Sequence, residues 1–124
     1  MLYIFGNIDY DKCVKIGFEK QRIAKILSSR DRMIKTYGSK MAEKLEARLS
    51  VLEAANCLND VPNTPPPRRH ALSGDRKGEW AVDLVHPRRL IFKPDPDEAS
   101  FNEKGELDLK LVKSIIILEV EDYH

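Results

Sequence analysis

Apolar residues recur at Ile23, Ile26, Leu27, Met33, Ile34 and Tyr37. That spacing of three and four predicts one helical stripe, interrupted by Arg30 and closed by Gly38 as a C-cap. Ser39 then caps a second helix with the apolar face Ala42, Leu45, Leu49, Leu52 and Ala55. Its other face carries Lys40, Glu43, Lys44, Glu46 and Arg48, which reads as a solvated surface. One or two residues separate the helices, so they predict an antiparallel hairpin. Ahead of them, Leu2 to Phe5 is β-prone and stops at Gly6-Asn7, predicting a short first strand. After them, residues 59–67 hold four prolines and read as a linker outside any helix or central strand.

Beyond the linker the period changes from 3.6 to 2. Residues 68–72 predict a short strand, and residues 74–78 a turn. From Glu79 to Val85, Trp80, Val82 and Leu84 alternate with Glu79, Ala81, Asp83 and Val85. His86-Pro87 predicts a reversal, and Arg88 to Phe92 another strand. A polar stretch follows, with a helical turn expected near residues 107–112, and then the Ile- and Val-rich strand Ser114 to Glu121. The expectation is a single α+β domain over residues 1–124: an antiparallel sheet of about four to five strands packed on an N-terminal helical hairpin.

Composition narrows the function classes. A chain of 124 residues is long enough for one core without staples. Runs such as Ile115 to Leu118 are far too short to cross a bilayer, and the start Met1 to Phe5 lacks the basic and long apolar regions of a secretion signal. The two cysteines, Cys13 and Cys57, form no CxxC pair and suit a reducing cytoplasm as small hydrophobes. The net charge of +1 conceals an asymmetry: residues 1–93 carry 18 Lys and Arg against 11 Asp and Glu, residues 94–124 only 3 against 9. A basic body of this kind can bind a polyanion through local patches.

There is no GxGxxG, HExxH or GxSxG motif and no paired Cys/His ligand spacing, so no metal or cofactor is expected. His86, beside a proline, reads as a turn residue; His70 adjoins Arg68 and Arg69; His124 directly follows the last strand. The stretch from His70 to Trp80, with its Gly74-Asp75-Arg76-Lys77-Gly78 turn, is followed by Arg89-Leu90-Ile91-Phe92 and a terminal Glu121-Asp122-Tyr123-His124. These three motifs, in this order, resemble HigB-type toxins of the RelE/ParE superfamily.

The resemblance implies a RelE-like fold and the toxin of a type II toxin–antitoxin pair, a ribosome-dependent endoribonuclease acting on mRNA. It implies a HigA-like helix-turn-helix antitoxin, the ribosome and mRNA as partners, and a cytoplasmic location away from membranes. By matching position, His124, Tyr123, Asp122, His70 and Arg89 form the expected catalytic set. Arg76 and Lys77 in the turn, with Arg68, Arg69 and Arg88, are the expected RNA-binding residues. The chemistry suits these types: metal-free RNA cleavage needs a base for the ribose 2′-OH, cationic donors around the phosphorane and an acid for the 5′-oxygen. Histidine serves either proton role near neutral pH, and arginine offers phosphate a rigid fork of donors.

Two departures accompany the likeness. Many HigB members carry a lysine where this chain has Ser73, and the segment from Pro94 to Lys113 is longer than in compact members. Strict alternation would also put Asp122 and His124 on one face and Tyr123 on the other. Two alternatives stay open: a ParE-like toxin that binds gyrase without cleavage, and an inactive homologue acting as an operon corepressor.

Overall fold

The structure, a computed structural model, describes residues 13–96 and 101–121. The expected strand at Leu2 to Phe5 lies outside the described residues. The first described strand is β1 (Lys15–Phe18), followed by α1 (Gln21–Leu27), α2 (Arg30–Tyr37) and α3 (Ser39–Ala54). The second half adds β2 (His70–Ala71), β3 (Trp80–Asp83), β4 (Arg89–Pro94) and β5 (Ser114–Glu121). One five-stranded sheet results, in the order β1-β5-β4-β3-β2.

The sheet is mixed rather than antiparallel. β1 runs parallel to β5, with Lys15 opposite Ser114 and Phe18 opposite Ile117, while the β2–β3, β3–β4 and β4–β5 pairs are antiparallel. A parallel neighbour needs a long crossover, and the three helices supply the first part of it. β1 escapes a pattern reading because only Val14, Ile16 and Phe18 alternate there before Glu19 and Lys20 end the run.

The single stripe expected over residues 23–37 is two helices, so the helical layer has three members instead of a hairpin. Ser28 closes α1 by donating both its backbone N–H and its hydroxyl to the Ala24 carbonyl. Ser29 then adopts extended backbone and its Oγ accepts from the Arg32 N–H at 3.3 Å, which caps α2. Two consecutive serines stop and restart the helix without breaking the apolar spacing, and spacing alone could not reveal them.

The helices cover one face of the sheet. Phe92, Leu90, Ile115 and Ile117 from the strands meet Leu45, Leu49, Leu52 and Met41 from α3, with Ala24 and Leu27 from α1. The proline-rich linker is anchored too. It begins in a 3₁₀ turn (Leu58–Asp60), Leu58 and Val61 are fully buried, and the Arg69 N–H donates to the Pro62 carbonyl at 2.9 Å. The turn expected near residues 107–112 is present: the Leu111 N–H donates to the Asp108 carbonyl at 2.9 Å and the Val112 N–H to the Leu109 carbonyl at 3.3 Å. Cys57 is buried, Cys13 is half-buried, and both are free.

Arg48 corrects the reading of α3's charged face. It is buried, only 6% exposed, and its Nε donates to the Asp83 carbonyl at 2.6 Å. Burial pulls its pKa down, opposed by the nearby Asp83 carboxylate. A cation on a helix flank thus fastens the helical layer to the end of β3. Arg48→Ala removes that donor and the packed stem, so unfolding in urea should show a loss of about 2 kcal/mol. A midpoint unchanged from wild type would mean that the Arg48–Asp83 bond does not hold the layers together.

Candidate active site

Asp83 ends β3 and is held from three directions. Its carbonyl takes the Arg48 hydrogen bond, its N–H donates to the Pro67 carbonyl at 2.8 Å, and its carboxylate receives the Arg68 fork. That fork is bidentate: Arg68 Nε lies 2.6 Å from Oδ2 and Nη2 3.0 Å from Oδ1. The hydrogen bond from Arg68 to Asp83 raises the guanidinium's pKa further. Arg68 has φ of 47°, a left-handed conformation costly for a residue with a Cβ. The fork to Asp83 and the Arg68 N–H bond to the Thr64 carbonyl hold it there.

This kink orients His70. Its Nδ1 is 2.7 Å from the Arg68 carbonyl oxygen. A carbonyl carries no proton, so Nδ1 donates and Nε2 is the basic nitrogen of the neutral ring. His70 pairs with Ala81, and Asp83 pairs with Arg89. Paired residues share a face, so His70, Asp83 and Arg89 stand together on the side of the sheet away from the helices.

A charged network spans the same side. Arg76, from the 3₁₀ turn Gly74–Arg76, donates through Nη1 to Glu79 Oε1 at 2.6 Å and through Nη2 to Glu119 Oε1 at 2.8 Å. Its Nε lies 3.1 Å from Glu121 Oε2. Because Glu79 adjoins β3 and the other two are on β5, the guanidinium crosses β4 above Ile91. Ile91 and Ala81 are fully buried on this face, which none of the described helices covers. Glu121 Oε1 also receives Arg89, from Nε at 3.1 Å and from Nη2. One carboxylate therefore holds two arginines, and hydrogen bonding, first to Glu79, raises the pKa of Arg76.

Arg68, His70, Arg76, Asp83 and Arg89 border one cleft of about 540 Å³. Of the expected site residues, the cleft brings together His70, Arg68, Arg76, Arg88 and Arg89. Arg69 and Lys77 are not among its lining residues. Arg69 instead donates from Nε to the Val61 carbonyl at 2.9 Å and lies 5.6 Å from the centre of the Trp80 ring, tying the linker to β3. Asp122, Tyr123 and His124 lie outside the described residues; in the chain they directly follow Glu121. Ser73, where many HigB members have lysine, also lines the cleft; sequence reasoning does not single out His86 or Asp83 as lining residues, nor Glu121 as a partner. Asp83 carries a signal, a carboxylate on the polar side of an alternating strand two residues beyond Ala81. His86 carries none.

No family model matches the chain, and no curated protein matches it. Among solved structures there is a match of fold. The chain is similar to one in the YoeB–YefM complex from Staphylococcus aureus, with a TM-score of 0.52 and 14% identity, covering 90% of this chain and 98% of that one. At that identity the likeness is one of architecture: an α+β domain with helices on one face of a five-stranded sheet. Among the described residues no helix is long and apolar enough to cross a membrane.

Arg76 and Arg89 present their donors to Glu121, where an anion entering the cleft would compete. Glu121→Gln removes that competitor. Pyrophosphate titrated into the variant and followed by calorimetry should bind about tenfold more tightly, with a stability loss of about 1 kcal/mol for the weakened ion pairs. Equal affinity in both proteins would show that Glu121 does not compete for these arginines.

Proposed function

We propose that the protein is the toxin of a type II toxin–antitoxin pair and acts as an endoribonuclease on translated mRNA. The observation that carries the reading is the single cleft in which His70 meets Arg68, Arg76, Arg88 and Arg89. The order of the three HigB-like motifs supports it, as does the architecture similar to a chain of the YoeB–YefM complex. That neighbour is a complex of two proteins, which supports a protein partner here, proposed as a HigA-like antitoxin.

In this reading the ribose 2′-oxygen attacks the adjacent phosphorus and the 5′-oxygen leaves, giving a cyclic 2′,3′-phosphate and a 5′-hydroxyl. His70 Nε2 takes the 2′-OH proton, a role open to it because Nδ1 is committed to the Arg68 carbonyl. His124 supplies the proton to the 5′-oxygen, and Asp122 and Tyr123 position it and the base beside the scissile bond. Arg89 and Arg76 turn from Glu121 to the phosphorane oxygens, where charge grows most in the transition state. Arg68 keeps its fork on Asp83 and acts as the support for His70. Arg88 and Lys77 follow the RNA backbone.

Ser73, a cleft residue where many HigB members have lysine, favours a second reading: an inactive homologue that represses its operon with the antitoxin. Induced expression in a bacterium, with primer extension on a translated message, separates the two. Wild type should arrest growth and produce in-frame cuts. His70→Ala and His124→Ala should each lower cleavage by about a hundredfold or more while melting like wild type. Undiminished toxicity in His124→Ala would remove that residue from the chemistry. Arrest without cuts would point to a gyrase-binding toxin, and no arrest to the corepressor.

A further inference from the structure

Cys13 and Cys57 are the two cysteines of the chain, and they lie far apart in sequence. The fold brings their backbones to one place. Cys13 leads directly into Val14, whose N–H donates to the Ala55 carbonyl at 2.9 Å, just ahead of Cys57. Cys57 leads directly into Leu58, whose N–H donates to the Val112 carbonyl at 2.8 Å. Val112 is in turn a neighbour of Cys13. Lys15 stands opposite Ser114 in the parallel pair, and the same register carried back along both strands sets Cys13 beside Val112. The Lys15 N–H, bonded to the Lys113 carbonyl at 2.9 Å, keeps that register at the start of the ladder. Residues 55–58 therefore cross the foot of β1 at the level of Cys13. Backbones joined by such hydrogen bonds run about 5 Å apart, within the Cα separations of about 4.4–6.8 Å that a disulfide bridges.

The settings of the two thiols suit stepwise exchange. Cys13 is half-buried and open to a small oxidant, whereas Cys57 is only 9% exposed. The Arg69 guanidinium, held on the Val61 carbonyl, acts on Cys57 through its charge. A sulfur anion that forms or leaves there has a cation beside it. The pair does not read as a metal centre: among the described residues no group of three or more His, Cys, Asp or Glu could hold an ion. Neither thiol lines the cleft.

We propose that Cys13 and Cys57 are a redox modification site: glutathione disulfide converts them to an intramolecular disulfide that fastens the approach to β1 to the exit of α3. The Cys13 thiolate attacks one sulfur of glutathione disulfide and expels a glutathione thiolate, leaving a mixed disulfide on Cys13. The Cys57 thiolate then attacks Cys13 Sγ and expels the second glutathione. Two electrons pass from the protein thiols to one glutathione disulfide, and the two thiol protons end on the two glutathiones. The loop so closed contains β1, α1, α2 and α3, so it ties them together without help from β5. Cross-linking a loop of that length restricts the unfolded chain and favours the folded one. None of this depends on what the cleft does.

The test incubates the full chain with glutathione disulfide, then reads intact mass, thiols titrated after denaturation, and melting temperature. Wild type should become a monomer lighter by two hydrogens, with neither thiol left to titrate and a peptide map joining Cys13 to Cys57. It should melt about 5 °C or more above the reduced protein, and dithiothreitol should reverse every change. Cys57→Ala should stop at one glutathione on Cys13, because nothing resolves it. Cys13→Ser should keep its buried thiol. Four results would overturn the proposal: thiols that persist in wild type, a glutathione on each cysteine, a dimer joined through Cys13, or a cross-linked monomer that melts below the reduced protein. The first three would mean that the thiols do not meet, and the last that the link strains the fold instead of fastening it.

Discussion

Asp83 is where the parts of this protein are joined. Its carbonyl is bound by a buried arginine from α3, its N–H by the linker, and its carboxylate by the arginine that turns the linker into β2. Each bond has a different origin in the sequence, yet all three converge on one residue at a strand end. The left-handed backbone of Arg68 persists because Asp83 holds its side chain, and the His70 ring is aimed because the Arg68 carbonyl is held. Orientation passes in this way from the core to a half-buried ring through a short series of polar bonds. An imidazole on a two-residue strand would otherwise have little to fix its tautomer or direction.

The open face of the sheet solves a different problem. Ile91 faces away from the described helices and is still fully buried. The Arg76 guanidinium closes over it, fastened to Glu79 on one side and to Glu119 and Glu121 on the other. The same carboxylates gather the guanidiniums of Arg76 and Arg89 at Glu121, the group with which an arriving anion must compete. Packing and the gathering of donors are here two results of one set of ion pairs.

Much of this is legible in the chain, for identifiable reasons. β5 is expected at its observed bounds because Ile115, Ile117 and the flanking polar residues leave no competing period. α3 is also expected, although Gly38 and not Ser39 is its N-cap and no side chain caps it, because Ser39 already lies in the first turn. The helix break at Ser28-Ser29 is hidden because the apolar stripe continues across it. β1 is hidden because four residues are too few to show a period, and its parallel partner is almost a hundred residues away. The motifs lead to His70, Arg76 and Arg89, but not to the ion pairs that hold them, since these join residues as far as 43 positions apart in the chain. Arg48 shows the general limit: spacing assigns a long side chain to a helix face, while its stem can bend under a neighbouring strand.

The position of β5 has a consequence for how the protein comes into being. It is the latest strand in the described chain, yet it lies between β1 and β4. Until residues 114–121 emerge during synthesis, β1 with its helices has no strand to join, and β4 lacks its inner neighbour. Pairings so distant in sequence form slowly, because the intervening chain must be ordered first. Glu121 arrives with that strand, so Arg76 and Arg89 receive their shared carboxylate at the moment the sheet closes. A nascent chain would therefore carry all the arginines of the cleft without the arrangement that makes them a site. Completion of the last strand acts as a timer on competence, built from strand order alone.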